Sequence, residues 1–318
     1  MTTIAAPLAP QGVRRRRTQA RREAIAFYLC ISPWLIGFIV FVAGPMIASL
    51  VLSFTHWDML SPPEWVGVKN YVQMVTTDPD FWQSLKVTAV YTVFSVPLRL
   101  FTALFLAILL NEATRGVGLF RTVFYLPSIV ASVAAAVLWS WILNPKFGPV
   151  NGALRLFGIK GPSWFSDPHY ALWGLVIMST WGVGGEMLIF LAGLKSIPQQ
   201  LYEAAEIDGA GRWVRFTRVT LPMLSPTIFF NFVMSMIGSF QTFDSAYVIS
   251  TARAGTIGGP MNSTLFYMLH LYRNAFGWQK MGYASALAWV LFMIILVLVL
   301  LTLRTSTLWV YYEAERKG

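Results

Sequence analysis

The sequence predicts an all-α polytopic membrane protein with about six transmembrane helices. Of its 318 residues, 56% are hydrophobic and only 12% are charged, whereas soluble domains carry about 25% charged residues. The basic residues behind the net charge of +10 stand in short blocks beside apolar runs, an arrangement typical of membrane proteins. We therefore exclude a soluble fold, and with it a basic groove for nucleic acid.

Each predicted helix is a mostly apolar run that matches the hydrocarbon core, which takes about 20 residues to cross. Six runs meet this length: Ile25–Phe54, Lys86–Leu110, Leu119–Leu143, Leu172–Leu194, Ile228–Ser250 and Met281–Leu303. The first exceeds the apolar region of a cleaved signal peptide, about 7–15 residues, so we expect it to remain as a helix. Pro33, Pro45 and Pro97 lie in or near helix interiors, which membrane bundles tolerate.

Arginines predict the orientation. The block Arg14–Arg17 precedes the first run and places the N-terminus in the cytoplasm. With an even number of crossings, the C-terminus returns to the cytoplasm. The loops expected inside are residues 111–118 and 195–226, and those expected outside are residues 56–85, 144–171 and 251–280. Residues 1–24 are expected to form a disordered basic tail, and residues 25–318 a single transmembrane domain.

Cysteine and histidine indicate neither a disulfide nor a metal site. Cys30 is the single cysteine, so no intrachain disulfide can form. His56, His169 and His270 are far apart and match no metal-ligand spacing. We expect them to be ordinary residues of the external loops or interfaces.

The most polar stretch between apolar runs is "YEAAEIDGAGRWVRF", residues 202–216. Ser196 and Pro198 precede it as a candidate cap and first-turn proline, and Gly209 can supply a left-handed stop. A second short helix is expected from Gly211, with Trp213, Phe216 and Val219 as its apolar face and Pro222 and Pro226 as its end. The pattern favours two cytoplasmic helices over a solvated loop that only sets topology.

The stretch "EAAEIDGAGRWVRFTRVTLP" resembles the EAA motif of membrane subunits of binding-protein-dependent ABC importers. The likeness covers nearly the whole chain. Segments such as "VGVKNYVQM", "GLFRTVFYLPSIV" and "MGYASALAWVLF" are similar to carbohydrate-uptake permeases of the maltose and glycerol-phosphate type. Within that group the chain looks like the first permease, without the extra N-terminal helices of the larger maltose subunit.

The resemblance implies that the EAA loop, residues 195–226, docks on a cytoplasmic ATPase as a coupling helix. The residues that match the motif are Glu203, Ala204, Ala205, Asp208, Gly209 and Ala210. The chain contains no Gly-x-x-x-x-Gly-Lys-Ser/Thr run, so we expect no enzyme activity and no cofactor in it. ATP and Mg²⁺ would be bound by two ATPase copies. A second EAA-type permease forming a heterodimer and an extracytoplasmic solute-binding protein are also implied, in the inner membrane.

Substrate contacts are carried over by position from the maltose-type subunit onto three middle helices. They fall on Ser128, Ser132, Ser179, Gly182, Val183, Ser235, Ser239 and Asp244. Several serines stand where that subunit has larger side chains, and an acid stands at an apolar position. We expect a wider cavity that suits a polyol or oligosaccharide, whose hydroxyls need acceptors. Helix packing is the alternative role of the serines.

Two other classes of membrane protein are considered. An ion-coupled secondary transporter could use Asp244, Glu186 and Arg99 as coupling groups, but it needs no two-helix cytoplasmic loop, and about six helices is few for inverted repeats. A membrane-embedded enzyme would need a catalytic constellation at membrane depth, whereas the three histidines are predicted outside.

Arg99 and Glu186 depart from the family pattern, which has apolar or small residues at both places. An unpaired arginine in the bilayer costs at least about 2.5 kcal/mol, so it should face the bundle and find an anion. We expect an Arg99–Glu186 pair with a structural role. The alternative is that Arg99 reaches toward a water-filled external cavity while Glu186 is protonated.

Overall fold

The computed structural model describes residues 11–112 and 116–311. Within these residues the chain is mostly helical, and its only strands are two short paired ones, β1 (Thr55–His56) and β2 (Glu64–Trp65). The predicted all-α class is therefore confirmed. Four described helical stretches are long and apolar enough to cross a membrane, and the number rises to six if each of two bent helix pairs is one span.

The helices are numbered along the chain. They are α1 (Gln11–Phe38), α2 (Gly44–Leu52), α3 (Lys69–Thr76), α4 (Pro79–Glu112), α5 (Val117–Ile129), α6 (Ser132–Ile142), α7 (Pro149–Leu156), α8 (Ala171–Ser179), α9 (Gly184–Ser196), α10 (Gln199–Ile207), α11 (Arg212–Arg215), α12 (Leu221–Phe240), α13 (Asp244–Ala254), α14 (Tyr267–Tyr272) and α15 (Met281–Ser306). Wider π-type turns join α1 to α2 and α11 to α12.

The first span begins earlier than predicted. α1 starts at Gln11 and continues through Pro33, so residues 11–24 are helical in the structure, whereas the sequence predicts a disordered tail there. Arginine, glutamine and alanine are good helix formers, and the helix can therefore extend beyond the apolar run that composition detects. Residues 1–10, and the C-terminal "EAERKG" expected in the cytoplasm, lie outside the described residues.

The three middle spans are interrupted. α5 and α6 meet at an angle of 100°, and α8 and α9 at 42°. Between α12 and α13 the helix opens at residues 241–243. At the second break Gly184 is required, because a Cβ there would lie 2.7 Å from the Cα of Tyr125 in α5. Irregular backbone at membrane depth is tolerated where it lines a cavity, so these breaks indicate where a cavity should lie.

α4 is the central helix of the bundle and packs against α8, α9, α12 and α14. In its C-terminal half, Ala103 and Ala107 are fully buried in a cluster with Met187 and Phe190 of α9. Small residues on α4 let the neighbouring helices approach closely. The faces of α4, α9 and α12 that meet here form one continuous interface.

The EAA loop, residues 195–226, contains the predicted pair of helices, α10 and α11, but not all of their predicted ends. Ser196 does not cap α10. It closes α9, where its hydroxyl donates to the carbonyl of Gly193 at 2.8 Å. Pro222 and Pro226 do not stop the second helix, which continues through a π-type turn into α12. Pro222 lies in the first turn of α12, where a missing N–H is tolerated.

Candidate functional site

A polar cavity of about 340 Å³ lies where the breaks of the three middle spans meet. Its walls come from α4, from the α5–α6 and α8–α9 bends, and from the opening between α12 and α13. The lining residues are Tyr91, Arg99, Pro127, Ser128, Val130, Ser132, Ala135, Leu175, Met178, Ser179, Trp181, Gly182, Gln241, Thr242, Phe243, Asp244 and Ser245. Hydroxyls, an amide, a guanidinium and a carboxylate therefore face one space.

Five of the predicted substrate residues line this cavity: Ser128, Ser132, Ser179, Gly182 and Asp244. Asp244 is exposed rather than buried, and its Oδ2 accepts a 2.6 Å hydrogen bond from the hydroxyl of Ser132. The hydroxyls of Ser128 and Ser179 donate to the carbonyls of Tyr125 and Val176, both at 2.6 Å. Each serine oxygen keeps lone pairs with which it can accept from a ligand.

The other three predicted residues lie elsewhere, so the structure does not bring them into the cavity. Val183 is buried in the cluster of α4 and α9. Ser239 is buried, and its hydroxyl bonds that of Thr92 on α4 at 2.8 Å. Ser235 is partly buried in α12, and its hydroxyl has no hydrogen-bond partner among the described residues. Helical position alone cannot tell a cavity-facing serine from one in a helix–helix contact.

Several cavity residues were not predicted. Tyr91 of α4 is buried against the ring of Phe266, and its hydroxyl faces those of Ser95, Ser179 and Thr242. Trp181 adds an aromatic wall at the α8–α9 bend. The polar run "QTFD" at residues 241–244 was the available signal, since polar residues inside an apolar span indicate a break.

The predicted pairing of Arg99 with Glu186 is confirmed. The Nη2 group of Arg99 donates to Oε1 of Glu186 across the contact between α4 and α9. The side chains are 30% and 16% exposed, respectively. Arg99 also lines the cavity while Glu186 does not. The carboxylate thus lies behind the guanidinium and compensates its charge within the bundle.

The EAA loop presents its motif residues at the surface. Glu203, Ala204, Asp208 and Gly209 are exposed, and Ala205 and Ala210 are partly so. α10 ends in a Schellman motif, in which Gly209 has a φ of +77° and the N–H of Ala210 donates to the carbonyl of Ala205 at 2.9 Å. The prediction that Gly209 provides the turn is therefore confirmed.

Two side-chain hydrogen bonds stabilise this loop. Arg215 of α11 donates to Glu206 of α10 at 3.1 Å, which ties the two short helices together. The hydroxyl of Tyr202 bonds that of Thr220 at 3.0 Å, which ties α10 to the turn before α12. Through that turn, α10 is mechanically connected to a helix whose other end borders the cavity.

Residues 99–312 match the family of binding-protein-dependent transport system inner membrane components. The chain belongs to this family. The "Probable ABC transporter permease protein YesP" of Bacillus subtilis is 47% identical over 305 residues, covering 95% of this chain and 97% of that protein. The lactose transport system permease protein LacF of Rhizobium radiobacter is 37% identical over 296 residues, covering 91% and 94%.

The fold of this permease also matches a solved structure. A bacterial ABC transporter involved in the import of the acidic polysaccharide alginate contains a chain that superposes with a TM-score of 0.78 at 24% identity, covering 92% of this chain and 98% of that one. The protein is thus a multi-pass membrane subunit of an ABC transporter. The secondary-transporter and membrane-enzyme alternatives no longer apply.

Proposed function

We propose that this permease forms half of the translocation pathway for a sugar or sugar-derived solute. The observation that carries the proposal is the cavity at the breaks of the three middle spans, where Asp244, Gln241, Thr242 and four serines face one space. Sugar hydroxyls both donate and accept, so a site for them needs carboxylate, amide and hydroxyl partners. Trp181 and Phe243 offer apolar ring faces beside these groups.

The comparisons support a carbohydrate. Relatives of the chain are named for lactose, for trehalose and maltose, and for arabinooligosaccharides. Cavities for drug-sized ligands measure about 300–1,000 Å³, so this half-site alone has room for one sugar ring or two. A second EAA-type permease would supply the opposite wall, and an extracytoplasmic binding protein would deliver the solute.

We further propose that the EAA loop couples this pathway to separate ATPase subunits. Glu203, Ala204, Ala205, Asp208, Gly209 and Ala210 lie together at the accessible end of α10. Exposed alanines permit close approach of a partner groove, and Glu203 offers a charge for an arginine or lysine. ATP and Mg²⁺ would be bound by two ATPase copies in the cytoplasm, and this chain would lie in the inner membrane.

Charge reversal of Glu203 tests the coupling. Glu203→Lys should assemble normally but lose both uptake and the stimulation of ATP hydrolysis by the loaded binding protein, because a basic groove would repel it. The matched control is Gln200→Lys, which adds a charge to the same exposed helix outside the motif. Wild-type uptake and stimulation in the Glu203 variant would refute the coupling role.

The substrate class is tested on the reconstituted complex. Proteoliposomes containing both permeases, the ATPase and the binding protein should accumulate labelled oligosaccharides when ATP is supplied. Labelled amino acids and peptides should not enter. Uptake of a peptide in place of every sugar offered would overturn the proposal.

A further inference from the structure

Arg99 is only partly satisfied by Glu186. A guanidinium carries five N–H donors, and Nη2 serves Glu186. The Nε–H of Arg99 is buried and has no hydrogen-bond partner among the described residues. A buried donor without an acceptor is costly, so a nearby acceptor should exist.

Two further unpartnered polar groups lie on α12, which packs against α4. The amide of Asn231 is buried to 1% exposure, and its Nδ2 has no partner in the described part of the chain. The hydroxyl of Ser235 is also unpaired there. Three orphan groups on two packed helices are unusual, because buried polar groups in native proteins are nearly always bonded.

The register of α4 against α12 brings these groups to one level. Thr92 of α4 bonds Ser239 of α12, and the helices cross the bundle in opposite directions. Arg99 lies seven residues after Thr92, about 10.5 Å along α4. Asn231 lies eight residues before Ser239, about 12 Å along α12 in the same direction across the bundle. Ser235 lies four residues, about one turn, nearer the bond than Asn231.

The register of α9 against α12 places Glu186 within one turn of the same level. A Cβ at Gly193 of α9 would lie 2.8 Å from both Leu224 and Thr227 of α12, so Gly193 faces the turn that holds these two residues. Glu186 lies seven residues, about 10.5 Å, from Gly193, and Asn231 lies four to seven residues, about 6–10.5 Å, from that turn in the same direction. Since α4, α9 and α12 all pack on one another, the register brings the three polar residues to one region of the bundle.

We propose that Asn231 is a positioning residue for Arg99, with its amide oxygen accepting the Nε–H. A half-turn of the amide exchanges Oδ1 and Nδ2 without changing its shape. In that orientation Oδ1 faces Arg99, and Nδ2 can donate to the hydroxyl of Ser235. All three orphan groups then have partners. The result is a polar node of Arg99, Glu186 and Asn231 that joins three helices.

This node would hold the guanidinium in the cavity wall. Glu186 accepts from Nη2 of the planar guanidinium, and Asn231 would accept from its Nε–H. Held at both points, the guanidinium can no longer rotate, so its remaining Nη donors stay directed at the cavity. The effect of this node on transport rests on the proposed function. The hydrogen bond between Asn231 and Arg99 does not depend on the proposed function.

The test is a pair of double-mutant cycles on the assembled complex in lipid nanodiscs and proteoliposomes. Asn231→Leu, nearly isosteric but without an acceptor, should raise the transport KM roughly tenfold, as for loss of a hydrogen bond to a charged group. It should change kcat less than about twofold. In an Arg99→Leu background the same substitution should leave KM unchanged. Asn231→Ala is the second variant if the leucine disturbs assembly.

The control is Asn151→Leu, which removes an amide of similar burial outside the three-helix junction. Its effect should be the same with and without Arg99. Thermal unfolding of the substrate-free complex provides the second readout, and Asn231→Leu should be less destabilising once Arg99 is leucine. If Asn231→Leu changes the melting temperature and KM equally with Arg99 and with Arg99→Leu, the proposed node is wrong. Coupling seen in melting without any sugar uptake would reject the proposed substrate instead.

Discussion

At the level of single residues, charge inside the membrane has the largest consequences. Arg99 and Glu186 lie on different helices, and each would be costly alone in the bilayer. Pairing removes most of that cost and places one member at the cavity. The contribution of this ion pair to the stability of the complex can be measured by substituting each partner alone and both together.

Arg99→Gln and Glu186→Gln should each destabilise the complex by about 2–4 kcal/mol, because each leaves one charge unpaired and partly buried. The double variant should recover part of this loss. The measurement is thermal unfolding of the purified complex in one detergent and one salt concentration. Strict additivity of the two changes would leave the pair without energetic support.

Asp244 tests the cavity at the same scale. Asp244→Ala should lower uptake without reducing the amount of protein in the membrane, because this exposed carboxylate bonds only Ser132 among the described residues. The control is Glu64→Ala, an exposed acid on strand β2. Quantitative blotting and uptake are measured together, and disappearance of the Asp244 variant from the membrane would show a structural role.

At the level of elements, a buried polar network joins the ends of three helices. His270 of α14 is fully buried and bonds Asp78 at 3.0 Å. Asp78, just before α4, also accepts from Tyr283 of α15 at 2.6 Å. Next to it, Arg273 donates to Asp80 at 2.5 Å. The network ties α14 to α4 and α15. Sequence analysis predicts an ordinary loop or interface histidine at position 270, and no local pattern indicates its burial.

This network predicts a loss of stability in acid. Burial lowers the pKa of His270, against the opposing pull of Asp78, so the folded protein keeps the ring neutral. Below the usual histidine pKa of about 6.5, the unfolded chain takes up a proton that the folded chain does not. Stability is therefore full above that pH and falls as the pH drops below it.

Thermal unfolding between pH 8 and 5, in steps of about half a unit around the usual histidine pKa, measures this dependence. His270→Gln should flatten the acid limb at some cost in stability at neutral pH. His169→Gln, a change at an exposed histidine, should leave the profile unchanged. An identical acid limb in the His270 variant would contradict the assignment.

At the level of the whole molecule, the property to be tested is the orientation of the chain in the membrane. The arginine block before the first span and the EAA loop are both predicted to face the cytoplasm, with β1 and β2 outside. In a Cys30→Ser background, Gln200→Cys should react with an impermeant maleimide only after cells are opened. Leu60→Cys, at an exposed position in a loop predicted to lie outside, should react in intact cells. Reaction of Gln200→Cys in intact cells would invert the topology and remove the coupling role.

Features that depend on local composition were predictable from the chain alone. Apolar length identified the spans because the hydrocarbon core admits only long helices. Gly209 marked a left-handed turn because other residues adopt that conformation with difficulty. The Arg99–Glu186 pair followed because a buried charge must find a partner, and few acids lay within the predicted spans.

Features that depend on which helix faces meet required the fold. A bend of 100° between α5 and α6 leaves composition unchanged, so the run appeared as one straight span. Ser239 and Ser132 have the same chemistry, yet one packs against α4 and the other bonds Asp244 in the cavity. Likewise, the burial of His270 and the level shared by Asn231, Arg99 and Glu186 arise from contacts between residues far apart in the chain. Periodicity describes one helix at a time, and only the packing of several helices decides which polar side chains share a space.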